Sequence, residues 1–95
     1  MLFRSHADLA KIRLISLLID KNDFAAAEKV ASESVSKPFK PLLLERRGDI
    51  QLVQQKNIEA RKAYQEAWEL LAKNPEVPDE AKRLLKVKLD AVGGL

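Results

Sequence analysis

The stretch that decides the fold is 44-LERRGDIQLVQQKNIEARKAYQEAW-68, in which Gly48 interrupts a pattern that is otherwise typical of a helix. Glycine in a helix interior costs roughly 1 kcal/mol relative to alanine. Another small residue, Ala60, follows and is spaced four residues from Tyr64. These small residues predict that two helices cross here with their backbones close together, and that Gly48 makes room for Ala60 and Tyr64. A glycine tolerated on the surface is the alternative.

The composition favours one domain of closely packed helices. The chain has 95 residues, of which 46% are hydrophobic but only 5% aromatic. Seventeen basic and 14 acidic residues leave a net charge of +3, too small and scattered an excess to indicate nucleic acid as a partner. The absence of cysteine excludes disulfides and thiolate chemistry but fits the cytosol and the bacterial periplasm equally well.

The N-terminal sequence MLFRSHADLAK lacks the pattern of a signal peptide. The apolar runs of the chain are also too short for a transmembrane helix. We therefore expect either a cytosolic protein or a fragment whose targeting segment has been left out. Residues 1–6 are expected to be disordered or derived from cloning.

Apolar periodicity predicts an all-α fold with five helices, at about residues 7–20, 24–36, 41–54, 58–73 and 79–92. The helix ends carry typical residues: Asn22 or Asp23 and Asn57 as N-caps, Pro41, Asp79 and Glu80 in first turns, and Gly93-Gly94 after the last helix. The fifth helix has one apolar stripe: Ala81, Leu84, Leu85, Leu89 and Val92. Its basic residues are expected to face water: Lys82, Arg83, Lys86 and Lys88.

An internal repeat appears when the sequence is shifted by 33 residues, which places Ala27 on Ala60 and overlays helices one and two on helices three and four. The period is one residue from the roughly 34 of tetratricopeptide repeats. We expect an α-solenoid fragment in one domain, residues 7–92, with two degenerate tetratricopeptide-like hairpins at about 7–38 and 41–73 and a capping helix at about 79–92. The residues expected to pack the repeats are Ala27, Gly48, Ala60, Tyr64 and Ala67.

Three motifs, in this order and spacing, resemble the end of the YfgM-type family, the ancillary subunit of the bacterial SecYEG translocon. They are Arg47-Gly48-Asp49, Ala60-Arg61-Lys62-Ala63-Tyr64 and Lys88-Leu89-Asp90. The resemblance covers about residues 8 to 92 and implies a single-pass inner-membrane protein with a tetratricopeptide-like domain at the periplasmic face. This chain would then be the C-terminal part of that domain, soluble by itself, with membrane contact only through an absent N-terminal anchor.

The resemblance also implies a protein–protein interaction module that passes exported proteins from the translocon to periplasmic chaperones. Expected partners are translocon components, periplasmic chaperones or exported client chains, and no nucleic acid. The alternative is a soluble cytosolic tetratricopeptide scaffold subunit of a multiprotein complex. An apolar stretch of about 20 residues upstream of Met1 would discriminate between the two.

In tetratricopeptide arrays the first helix of each hairpin lines the concave face. The corresponding positions form the candidate binding surface: Leu9, Ile12, Ser16, Ile19, Asp20, Leu42, Glu45, Asp49, Leu52 and Val53. This set is apolar with a few acids, which favours extended segments that are apolar and basic, or a partner helix. For Leu9 and Ile12 a place in the core is an equal alternative. The set lacks the lysine and asparagine ladder that clamps a peptide carboxylate.

No residue pattern indicates catalysis, a metal site or a cofactor. His6 is the single histidine, and Glu45 and Asp49, although four residues apart on one helix, come without a nucleophile motif or a glycine-rich loop. We therefore expect a binding module and not an enzyme.

The first helix is apolar around most of its circumference, which predicts cover on more than one side. If an upstream repeat is missing, its outer face is left bare. We then expect a symmetric homodimer driven by truncation, with Phe3, Leu9 and Leu17 as contributors.

Overall fold

The computed structural model describes residues 2–93, and side chains from residue 7 to residue 93. Five α-helices follow one another: α1 (Leu2–Asp20), α2 (Phe24–Ala31), α3 (Lys40–Val53), α4 (Asn57–Ala72) and α5 (Asp79–Ala91), with a 3-10 turn at Lys37–Phe39. No strand occurs between residues 2 and 93. The all-α, tetratricopeptide-like fold expected from the sequence is confirmed.

The two hairpins, α1–α2 and α3–α4, have turns of the same geometry 33 residues apart. Asn22 has a φ of 61° and Gln55 a φ of 63°, so both turns place one residue in the left-handed region. The next backbone N–H in each turn reaches back five residues, from Asp23 to Leu18 at 2.9 Å and from Lys56 to Gln51 at 2.8 Å. This is the Schellman geometry that ends a helix and satisfies its last carbonyls. The repeat read from the sequence is therefore a repeat of backbone structure.

Three predicted helix-end features occur in the structure, and others differ. Asp23 caps α2 by accepting from the Ala26 N–H at 3.3 Å, Pro41 lies in the first turn of α3, and α5 starts with two acids. The prediction for Asn57 was wrong, because the cap residue of α4 is Lys56 and Asn57 lies inside the helix. Helix α1 begins at Leu2, five residues before the predicted start.

Helix α2 ends at Ala31, five residues earlier than expected. The chain beyond it is held by Asp8 on α1, whose carboxylate accepts from the Ser36 N–H at 3.0 Å and from the Ser36 hydroxyl. Ser32 also donates its hydroxyl to the Lys29 carbonyl at 2.7 Å. Serine and aspartate side chains offer backbone groups an alternative to helical bonds, so this serine-rich segment leaves the helix.

Helix α3 is central, since its side chains enter two separate core clusters. Leu43 and Ile50 pack with buried residues of α1 and α2: Ile12, Ile15, Ala27 and Ala31. Leu44 packs with buried residues of α4 and α5: Ala60, Tyr64, Ala67, Leu85 and Leu89. A helix buried from both sides couples the hairpins into one stack. The expected packing residues Ala27, Gly48, Ala60, Tyr64 and Ala67 are all buried.

Gly48 lies against the face of the Tyr64 ring. A Cβ atom at residue 48 would lie 2.6 Å from Cδ1 and 2.8 Å from Cζ of that ring, which is far inside van der Waals contact. Any side chain at residue 48 would therefore overlap the ring, and the glycine leaves the room that Tyr64 occupies at the crossing of α3 and α4. The first hairpin reverses the sizes at the corresponding positions, where Ile15 and Ala31 are both buried in one cluster.

Helix α5 buries only part of the apolar stripe that the sequence predicts. Leu85 and Leu89 are buried as predicted, but Leu84 is 60% exposed and Ala81 also faces water. Neighbouring leucines at residues 84 and 85 fit either of two rotations, and the pocket of α3 and α4 accepts only the second leucine.

We expect Gly48→Ile to destabilise the fold by about 1–3 kcal/mol, because the new side chain overlaps the Tyr64 ring. Tyr64→Ala alone should cost about 3–5 kcal/mol. The double variant reproduces the large–small pairing of the first hairpin, so its cost should fall below the sum of the two by about 0.5–3 kcal/mol. Urea unfolding measures all three, and strictly additive values would contradict the complementary packing.

A second prediction concerns the turn of the second hairpin. Gln55→Gly should raise the free energy of unfolding by roughly 0.5–1 kcal/mol, since a left-handed conformation strains any residue with a Cβ atom. Lys56→Gly is the matched control, because Lys56 has an ordinary φ of −93° and should gain nothing. Equal shifts in the urea midpoints of both variants would rule out strain at Gln55.

Candidate functional site

A network of charged side chains crosses the three helices α1, α3 and α5. Glu45 and Asp49, four residues apart on α3, both face Lys88 of α5. The Lys88 Nζ atom lies 2.6 Å from Glu45 Oε2 and 3.2 Å from the carboxylate of Asp49. Lys88 therefore binds α5 to α3. The expectation that Lys88 lies on the wet face of the last helix was wrong.

Arg46 extends the same network to α1. Its Nε atom donates to the Ser16 hydroxyl at 2.7 Å, and its Nη1 atom lies 3.6 Å from Glu45 and 3.8 Å from Asp49. Two cations thus face two carboxylates, and the network carries no net charge. Because Glu45 and Asp49 already have counter-charges, they give no reason to expect that the candidate binding surface prefers basic segments.

The hydroxyl of Tyr64, on α4, forms a hydrogen bond with Asp49 of the network. It donates to Asp49 Oδ1 at 2.6 Å, and the Tyr64 side chain is fully buried. Burial raises the pKa of the Tyr64 phenol well above its usual value, and the hydrogen bond to the Asp49 carboxylate and the charge of that carboxylate raise it further. The phenol therefore stays protonated and serves as a donor that fixes the Asp49 side chain.

The candidate binding surface proposed from the sequence divides into three groups. Ile12 is 3% exposed and belongs to the core, which is the alternative left open for it. Leu9, Ser16, Ile19, Leu42, Glu45 and Asp49 are partly buried. The exposed members are Asp20, Leu52 and Val53, at the C-terminal ends of α1 and α3.

Three participants in the network were missed by sequence reasoning as members of this surface: Arg46, Tyr64 and Lys88. The pairing of Lys88 with Glu45 joins residues 43 positions apart, and no local pattern signals it. Tyr64 was identified as a packing residue, but its hydroxyl gave no indication of a partner. The hydroxyl of a buried tyrosine usually has a hydrogen-bond partner, and this general rule is the only signal by which the sequence could have indicated the contact with Asp49.

The geometry of the network fits a clamp between helices. Among the side chains of residues 7–93, no group of three or more His, Cys, Asp or Glu residues is placed so that it could hold a metal ion. The single histidine, His6, has its side chain outside the described residues. None of the described helices, between residues 2 and 93, combines the length and the apolar character needed to cross a membrane.

We expect the Tyr64 phenol to make stability fall steeply in alkali. Its stabilising effect is complete below about pH 10, the pKa of an unfolded tyrosine, and is lost as the pH rises toward the higher pKa of the folded state. Above pH 10 only the unfolded chain releases the proton, so the free energy of unfolding should drop by about 1.4 kcal/mol per pH unit. Tyr64→Phe removes this contribution and is the control.

Tyr64 is the single tyrosine of the chain, so the ultraviolet absorbance of tyrosinate reports on it alone. The absorbance should appear together with the loss of helical circular dichroism. Tyrosinate formed near pH 10 in a chain that remains helical would contradict the burial of Tyr64.

Comparison with known proteins gives two matches. A family model described as a tetratricopeptide repeat-like domain matches residues 4–94. The ancillary SecYEG translocon subunit of Neisseria gonorrhoeae (strain ATCC 700825 / FA 1090) is 33% identical over 84 residues, which are 88% of this chain and 38% of that protein. The chain thus spans less than half the length of this curated relative. No solved structure matches significantly. The resemblance seen in the motifs is thereby confirmed, and the chain belongs to the tetratricopeptide repeat-like domain family, with proteins of the YfgM type.

Proposed function

We propose that this domain binds segments of other proteins during protein export, at the periplasmic face of the bacterial inner membrane. Its partners in this proposal are translocon components, exported chains and periplasmic chaperones that receive those chains. The observation that carries the proposal is the similarity to an ancillary translocon subunit along 88% of the chain, in a fold whose relatives are protein-interaction modules.

The contact surface we propose lies at the C-terminal ends of α1 and α3. The 33-residue repeat places Ile19 and Asp20 of the first hairpin at positions equivalent to Leu52 and Val53 of the second. Leu52 and Val53 are 37% and 48% exposed, and Ile19 is partly buried against the core of the first hairpin. Apolar side chains repeated on neighbouring helices suit an apolar client segment laid across both.

The charge balance of the adjacent network supports clients chosen by apolar contact. Glu45 and Asp49 are occupied by Lys88 and Arg46, so a client gains nothing from a basic side chain unless it displaces one of these. Exported chains pass the membrane unfolded and present apolar segments of varied sequence. Apart from the exposed Asp20, the proposed surface is apolar, and an apolar surface accepts such segments.

Site-specific photo-crosslinking in bacterial cells tests this proposal. A photoreactive residue at Leu52 should crosslink to a translocon subunit and to an exported protein arrested in the translocon. The same residue at Leu70 is the matched control, because Leu70 is a similarly exposed leucine on α4, outside the proposed surface.

Crosslinks from Leu52 to subunits of a cytosolic complex would overturn the proposal in favour of a cytosolic scaffold. Equal crosslinking from Leu52 and Leu70 would show that the ends of α1 and α3 are not the contact surface.

A further inference from the structure

The outward face of α5 carries an apolar strip that the fold leaves uncovered. Leu84 and Val87 are 60% and 62% exposed, while Leu85 and Leu89 on the opposite face are buried. The apolar residues of the strip, Leu84, Val87 and Ala91, follow the three-four spacing of a coiled-coil seam, and the charged Glu80 occupies the seam position four residues before Leu84. Helices with such a seam pack along it against a second helix.

The charges beside this seam are arranged for a second copy of the same helix. Arg83 and Asp90 lie one heptad apart and flank the same edge of the seam. When two copies of α5 pack antiparallel about a twofold axis, Leu84 lies opposite Val87 of the partner subunit. Arg83 then lies opposite Asp90 of the partner subunit, and the symmetry repeats both contacts. Opposite charges that meet twice favour this pairing over a helix of unrelated sequence.

Asp90 is accessible for such a contact. Among the described side chains, Asp90 forms an ion pair with Lys86 of the same helix, at 3.5 Å. The Asp90 side chain is 62% exposed. Lys86 itself lies over the Trp68 ring, 5.8 Å from the ring centre, and so has a second partner besides Asp90. The aspartate can therefore face a partner arginine without breaking the packing of α5 on α4.

We propose that two copies of this chain associate through the outward face of α5, as an antiparallel helix pair centred on Leu84 and Val87. The contact joins two helices of 13 residues. It is therefore smaller than the interfaces of about 1,600 Å² typical of stable complexes, and the dimer is weak and reversible. It is independent of the client surface at the ends of α1 and α3.

Helix α1 provides a matched control for this proposal. Its segment 13-RLISLLID-20 repeats the pattern of 83-RLLKVKLD-90, with arginine, two outward apolar residues and aspartate at the same spacing. The outward residues Leu14 and Leu17 are 43% and 52% exposed, less than their counterparts on α5. The same substitution at Leu84 and at Leu14 therefore distinguishes a dimer through α5 from the dimer through α1 that the sequence predicts. Of the contributors predicted for α1, Phe3 has its side chain outside the described residues, and Leu9 and Leu17 lie on the described part of the helix.

Sedimentation velocity over a range of concentrations, with circular dichroism to verify folding, tests the apolar contact. The unchanged chain should dimerise with rising concentration, Leu84→Asp should remain monomeric, and Leu14→Asp should dimerise like the unchanged chain. Both residues are exposed, so both variants should fold. A chain that stays monomeric up to millimolar concentration would overturn the proposal. A dimer lost in Leu14→Asp would overturn it too, because the contact would then involve α1.

Charge reversal tests the antiparallel arrangement. Arg83→Asp places two like charges at each symmetric contact and should raise the dimer dissociation constant about tenfold. Adding Asp90→Arg restores opposite charges across the seam and should return the constant to within about twofold of its original value. Arg13→Asp should leave it unchanged. A double variant as weak as the single one would show that Arg83 and Asp90 do not face each other.

Discussion

The second hairpin and the position of α5 depend on the contact between Gly48 and the ring of Tyr64. Because no Cβ atom intervenes, the ring lies directly against the backbone of α3 and its hydroxyl reaches Asp49 at 2.6 Å. Asp49 is thereby fixed where Lys88 of α5 can bind it at 3.2 Å. One close approach between α3 and α4 therefore also determines where α5 is held.

The two hairpins achieve the same packing with opposite side chains. The first fills its crossing with Ile15 from α1 and leaves room with Ala31, and the second leaves room with Gly48 and fills the crossing with Tyr64. Close packing requires a certain total side-chain volume at a helix crossing, and the larger side chain can come from either helix. Repeats can thus diverge far from a common sequence while their turns keep the same backbone angles at Asn22 and Gln55.

The same arrangement places the charged network and the exposed apolar side chains on separate surfaces of the domain. Charges that face each other within the network of Glu45, Asp49, Arg46 and Lys88 hold the helices in place and present no net charge to a client. The exposed apolar side chains lie elsewhere: Leu52 and Val53, proposed to contact clients, at the end of α3, and Leu84 and Val87, proposed to contact a second copy, on α5. Each of these surfaces can change in sequence without disturbing the others, since they lie on different helices or different helix faces.

The sequence by itself determined the helices, the 33-residue repeat, the family and the role of Gly48, because these depend on local periodicity and on the steric size of single residues. The tertiary structure alone decided three features. The segment after α2 is held to α1 because Asp8, 28 residues before Ser36, binds that serine. Leu84 faces outward because α3 and α4 accept Leu85 instead. Lys88 neutralises the acids of α3 because α5 folds back across them. Each depends on a partner far away in the chain, and local patterns carry no information about such a partner.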